Sequence, residues 1–248
     1  MHSLSQRAQN VFSYFSSVAV AVAIAVALSV LVQPQTPKAA LQLKNVQVVT
    51  GRPHYYSKKR EEYAHVRFDL DADLSSLFHW NTKQIFAYVT ASYPSSSPDT
   101  IPPSEIVIWD AVIPASNAPF HANTYVHPEG KSMMKVKSRT SKQKKGLAWP
   151  AGTQPGILRL FGQKPKYQIT DISGKIAERQ NATLTLHWNI QPWVGAMVWT
   201  NRQTIGRWQG LQGGQSKAFD FPALKTADTK KEDLKTERGA EARRGKPS

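Results

Sequence analysis

Cysteine is absent from the 248 residues. That excludes a disulfide framework, a thiolate nucleophile and any Cys-based metal site, while leaving the redox compartment open. Acidic residues are scarce: 17 Asp+Glu stand against 32 Lys+Arg, a net charge of +15. Such a surplus raises nucleic acid or an anionic membrane surface as a partner, but its placement argues otherwise. Lys131 to Gly146 holds seven basic residues and no acidic one, and Leu224 to Ser248 holds eight basic and five acidic. Both stretches are poor in large apolar residues, so neither buries enough surface to offset its ordering entropy, and neither interleaves its cations with stacking aromatics. They read as a solvated loop and a charged tail, with no nucleic-acid partner expected.

Signatures of chemistry are equally sparse. There is no G-x-S-x-G motif and no glycine loop of the phosphate-cradling kind; Gly206, Gly210, Gly213 and Gly214 follow no strand-to-helix pattern. The seven histidines, at positions 2, 54, 65, 79, 121, 127 and 187, show no ligand spacing. Asp69, Asp71 and Asp73 alternate as in a calcium loop, but the EF-hand glycine and terminal glutamate are missing. A strand end, with Asp73 capping a short helix through Leu77 and Phe78, accounts for them better. No catalytic residue, cofactor or metal is therefore expected.

One long apolar run is present. Val11 to Val32 carries no charge over 22 residues, and at about 1.5 Å per residue it reaches roughly 33 Å, enough to span a bilayer. A cleaved signal peptide is the competing reading, because the denser half, Val18 to Val32, is short and Ala27-Leu28-Ser29 offers small residues. Pro34 and Pro37 then start an extended linker. Arg7 precedes the segment while Lys38, Lys44 and Arg52 follow it, so positive charge alone does not orient it. The one N-x-[ST] sequon, Asn181-Ala182-Thr183, would require a lumenal C-terminal domain if glycosylated.

The remainder alternates with period two. Val66, Phe68 and Leu70 share one face against His65, Arg67 and Asp69; Leu184, Leu186, Trp188 and Ile190 share another against Thr183, Thr185, His187 and Asn189. Further runs at Leu41–Val49, Gln84–Tyr93, Glu105–Ile113, Gly156–Phe161, Tyr167–Ile172 and Ser216–Phe221 bring the count to an antiparallel β-sandwich of seven to nine strands, mainly β in class. Asn181 shares the parity of Thr183 and falls on the polar face. Of the seven tryptophans, Trp188 belongs in the core, while Trp193, Trp199 and Trp208, in a less regular stretch after Pro192, form an exposed patch.

Three stretches carry a resemblance. Phe68-Asp69-Leu70-Asp71-Ala72-Asp73-Leu74 with Phe78-His79-Trp80-Asn81-Thr82-Lys83-Gln84-Ile85-Phe86, then Val107-Ile108-Trp109-Asp110, then Asn181 through Pro192 (NATLTLHWNIQP), resemble the signal peptidase complex subunit 3 family in order and spacing. The resemblance implies a noncatalytic, type II single-pass glycoprotein of the endoplasmic-reticulum membrane. Its β-sandwich would be lumenal, glycosylated at Asn181, and would support a catalytic Sec11-type serine protease subunit in removing signal peptides. Residues 1–10 would then be cytosolic, 11–32 the signal anchor, 33–223 the lumenal domain with a basic insertion near 131–146, and 224–248 the disordered charged tail. The insertion and tail look like lineage-specific additions. A secreted sandwich binding module, freed by signal cleavage, is the alternative that the residues alone leave open.

Overall fold

The computed structural model describes residues 3–95, 101–116, 155–200 and 203–224. The expectations for Lys131–Gly146 and for the tail beyond 224 lie outside these residues.

Helix α1 spans Leu4–Ser29 and is continued by a 3-10 turn, Val30–Val32. It starts well before the apolar run expected at Val11, because Ser3 caps it by accepting the Gln6 amide at 3.3 Å. Together these residues are long and apolar enough to cross a membrane, and no residue of α1 is buried by protein. Ser16 and Ser17 satisfy their hydroxyls within the helix, donating to the carbonyls of Phe12 and Ser13 at 2.8 and 2.9 Å, as an apolar surrounding would require.

Two four-stranded sheets follow. The first contains β1 (Lys38–Gly51), β2 (Glu61–Asp73), β5 (Ile157–Gln163) and β8 (Gln212–Gly213), in the order β5-β2-β1-β8. The second contains β3 (Thr82–Tyr93), β4 (Ser104–Pro114), β6 (Thr183–Pro192) and β7 (Val198–Trp199), in the order β4-β3-β6-β7. All pairings are antiparallel except β1 with β8. Among the described residues, eight strands in two layers meet the sandwich expectation.

Alternation decides which faces meet. Val66, Phe68 and Leu70 of β2 and Leu184, Leu186, Trp188 and Ile190 of β6 are buried in one core with Ile85, Ala87 and Val89 of β3. The Phe68 and Trp109 rings join the layers edge to face at 6.3 Å, a preferred aromatic geometry.

Four expectations are revised. Tyr167–Ile172 and Ser216–Phe221 form no strand; they meet the sheets through the isolated bridges Ala64 with Ile169 and Ala182 with Phe219 and through single bonds such as the Tyr167 amide to the Ile108 carbonyl and the Ser216 amide to the Leu184 carbonyl. Each run meets its sheet at single residues instead of along a ladder. The turn after β2 is a 3-10 helix, Ser75–Leu77, ending before Phe78; Asp73 serves it by accepting the Ser75 amide at 3.0 Å. The linker after the helix is paired: Gln35 accepts from the Gln209 amide at 2.8 Å and donates to the Arg207 carbonyl at 3.2 Å. Finally, His65 sits on the outer face of β2 as expected, yet it is buried beside Gln47, its partner across β1. Burial, helped by Arg67, pushes the His65 imidazole below its ordinary range.

Register places the ends of the sandwich. Lys38 pairs with Asp73, Asp73 with Ile157, and Thr82 with Pro192, so these positions mark the end where the helix joins. Glu61, Tyr93 and Thr183 mark the other.

Candidate functional site

The helix junction is the most elaborated part of the molecule. Pro192 to Trp199 is an uncharged stretch (PWVGAMVW) that leaves β6, loops back and ends in β7. It lies alongside the last turns of the helix, and the two enclose a cavity of about 220 Å3 lined by Leu28, Leu31, Val194, Ala196, Val198 and Trp208 among others. Gly195 makes the approach possible. Its φ is +115°, and a Cβ there would lie 3.1 Å from the Ala27 Cβ, so both the conformation and the space favour glycine.

Asn81 holds the loop. It is 1% exposed, donates through Nδ2 to the Val194 carbonyl at 2.7 Å and accepts the Val194 amide on Oδ1 at 3.1 Å, while its own carbonyl takes the Trp193 amide at 2.8 Å. One step along, the Gln84 amide donates to Gln191 Oε1 at 2.6 Å, and the Lys83 ammonium stands 5.4 Å over the Trp193 ring. Residues of two of the stretches that carried the resemblance, 107 positions apart in Gln84 and Gln191, thus meet at the helix junction. The third acts elsewhere: Trp109 packs in the core, and Asp110 pairs with Lys166 at 3.2 Å.

On the far side of the junction, Arg207 donates to the Val32 carbonyl at 3.2 Å, placing a cation at the helix C-terminus where the dipole favours it. Below it the Gln212 amide donates to the Pro37 carbonyl at 3.2 Å and the Gly214 amide to the Ala39 carbonyl at 2.8 Å. A Cβ at Gly213 would fall 2.1 Å from the Ala39 oxygen, and its φ is +77°. Gly213 and Gly214, two of the glycines that matched no phosphate loop, belong to this seam.

Trp193 and Trp199 are exposed as expected. Trp208 is not: it is partly buried against the helix.

Asn181 lies at the opposite end. It precedes β6 and does not continue it, with a φ of +59°, a left-handed conformation asparagine tolerates. Its side chain is exposed and its amide donates to Asp220 at 2.9 Å. Ten residues of β6 at about 3.4 Å each separate this end from the junction by roughly 30 Å. The loop leading to Asn181 is secured by a polar knot. Arg179 donates to Asp171 at 2.8 Å and to the Pro94 carbonyl at 3.0 Å, Ser173 bonds the same carboxylate, and Tyr93 donates to its other oxygen at 3.1 Å. Burial, the Asp171 charge and the hydrogen bond to it push the Tyr93 phenol up to about 12. Burial alone would raise the Asp171 carboxyl, but hydrogen bonds from Ser173 and the Arg179 charge hold it below its ordinary value.

Two histidines have neighbours worth a chemical reading. His79 Nδ1 touches the Thr82 hydroxyl, a base beside an alcohol. The hydroxyl proton, however, is donated to the Leu77 carbonyl at 2.9 Å, and Thr82 is buried within the turn that it closes. Burial also lowers the His79 imidazole below its ordinary range. His187 stacks on Tyr88 at 5.3 Å and reaches Glu105 at 3.4 Å. The three aspartates of β2 do not gather: Asp69 faces Lys44 at 3.6 Å, and Asp73 is spent on Ser75. Among the described residues, no group of three or more His, Asp or Glu side chains converges as a metal ion requires. His2, His121, His127 and Trp149 lie outside the described residues.

The fold and the junction define a class: a two-sheet β-sandwich docked against its own N-terminal apolar helix, with its polar side chains engaged in holding loops. Comparison with known proteins makes this specific. A family model described as "Signal peptidase subunit" matches residues 1–128 and 152–209, and the chain belongs to that family. It is similar to proteins named signal peptidase complex subunit 3: 32% identical to that of Yarrowia lipolytica over 80% of this chain and 91% of the relative. It is 27% identical to that of Saccharomyces cerevisiae over 84% and 95%, and 24% identical to that of Homo sapiens over 79% and 87%.

Proposed function

We propose that this chain is the noncatalytic subunit of the signal peptidase complex that supports a Sec11-type serine protease subunit in cutting signal peptides from chains entering the endoplasmic reticulum. The observation that carries the reading is the family match, which runs from the helix through β6 and the junction loop. Family membership supports an accessory role in that complex; the finer assignments rest on residue chemistry. The His79–Thr82 contact, a hydroxyl beside an imidazole, closes a turn and has its proton engaged elsewhere, which favours a structural over a catalytic part.

The topology we propose is type II: a short cytosolic N-terminus, residues 11–32 as the anchor, residues 33–223 in the lumen, and the charged tail after them. Two features support it. The helix meets the length and composition of a span, and the sequon is exposed at the end of the sandwich remote from the helix. A glycan on Asn181 would extend away from the bilayer.

Removing the chain from cells should lower signal-peptide cleavage, whereas Thr82→Val and His187→Ala, introduced singly, should leave turnover intact once the complex has assembled. A single substitution that stops cleavage in an assembled complex would refute the noncatalytic reading. Asn181→Gln should remove one endoglycosidase-sensitive mobility step; an unchanged mobility would refute lumenal glycosylation there.

A further inference from the structure

The junction loop carries large apolar side chains that nothing in the sandwich covers: Trp193, Met197 and Trp199 are 48%, 59% and 60% exposed. Their position relative to the helix identifies what surrounds them. The loop does not sit beyond the end of the apolar segment but beside it, with Gly195 against Ala27. Ala27 is five residues before Val32, about 8 Å along the axis. Wherever the helix is immersed as far as Val32, the loop beside Ala27 is immersed as well.

We infer that the Pro192–Trp199 loop enters the bilayer leaflet from which the C-terminal end of the helix emerges, with Trp193, Met197 and Trp199 seated among lipid. The inference rests on the anchor reading of the helix. It is supported by a second observation, the pairing of the backbone on both flanks of the loop, at Trp193–Val194 and Val198–Trp199. Irregular backbone at membrane depth is tolerated only where its polar groups are satisfied by protein. Both polar groups of Val194 are taken by Asn81, the Trp193 amide by the Asn81 carbonyl, and Val198 and Trp199 pair with Ile190 and Asn189 of β6. The loop is uncharged throughout, and among the described residues two cations stand at its margin. Lys83 stands over the Trp193 ring and Arg207 sits at the Val32 carbonyl. That order, apolar tip then tryptophan then cation, is the arrangement of a side-chain belt at a membrane interface.

The absence of cysteine makes the test direct. Nitroxide labels at Met197→Cys and, separately, Trp199→Cys would be read in the complex rebuilt from the labelled full chain in phosphatidylcholine nanodiscs. Collisions with dissolved oxygen report lipid and collisions with a water-soluble nickel complex report solvent. Tyr56→Cys, on an exposed side chain of the β1–β2 loop at the far end, and Val20→Cys, within the helix, serve as references. The expected result is a reversal of sign in the depth parameter: labels at 197 and 199 oxygen-accessible like 20, with 56 nickel-accessible. Labels at 197 and 199 that behave like 56, while 20 is deep, overturn the inference and leave the anchor standing. Labels at 197 and 199 shielded from both reagents place protein on the patch and overturn it too. A nickel-accessible label at 20 overturns the anchor reading and the inference together.

Discussion

Asn81 shows how much one side chain can organise. Its carboxamide replaces a missing strand partner for Val194, donating to one backbone group and accepting from the other across a separation of 113 residues. Asn81→Ala would leave both groups without that partner, at a cost of about 1–3 kcal/mol. The expected outcome is a lower denaturation midpoint of the full chain in detergent, with Asn81→Asp intermediate because it keeps only the acceptor. Tyr93 sets a pH limit. Its folded-state pKa is raised from 10.0 to about 12, so the stability it contributes is fully present below pH 10 and is lost as pH rises toward 12. Tyr93→Phe should flatten that alkaline limb in a pH series of melting temperatures, in part only, because burial also raises Tyr63 and Tyr88. On the acid side, Asp171 is held below its ordinary value of 3.8. Its contribution therefore persists above that pH and fades as pH falls through the folded value, a loss absent from Asp171→Asn.

Among the elements, the segment joining helix to domain behaves least as composition suggests. Residues 33–37, with two prolines, read as an extended linker, and Gln35 within it is buried and bonded on both sides to Arg207–Gln209. Gln35→Pro removes the amide that donates to Arg207, and the prediction is faster cutting near residues 33–37 by a nonspecific protease, measured by mass spectrometry of the fragments. The six long strands were legible because each turns alternate side chains into a common core, a period that burial imposes on sequence. The linker pairing, β7 and β8 were not. They are two-residue ladders or bridges made by backbone groups, which leave no side-chain pattern. The same division holds at the junction. Exposed Trp193 and Trp199 announced themselves as aromatics in an uncharged run, but Asn81 and Gly195 act through contacts visible only once the chain is folded. Trp208 was misplaced on the surface because the helix that covers it is 176 or more residues earlier.

For the molecule as a whole, helix, linker and sandwich are joined at several points: Gly195 on Ala27, Arg207 on Val32, and the Gln35 and Pro37 bonds to the seam before β8. The chain should therefore stay in the membrane pellet after alkaline carbonate extraction, with a tag fused to its N-terminus retained. Release into the supernatant without the tag would instead indicate a secreted module.

These joints tie the helix to the domain at several separate points. A span rocking by about 20°, an ordinary inclination for a single helix, would carry the sandwich with it as a lever, sweeping the sequon end, some 30 Å away, through roughly 10 Å. With the helix as a membrane span and these joints held, a change in bilayer thickness that alters its inclination would be converted into a lateral displacement of the domain's distal tip.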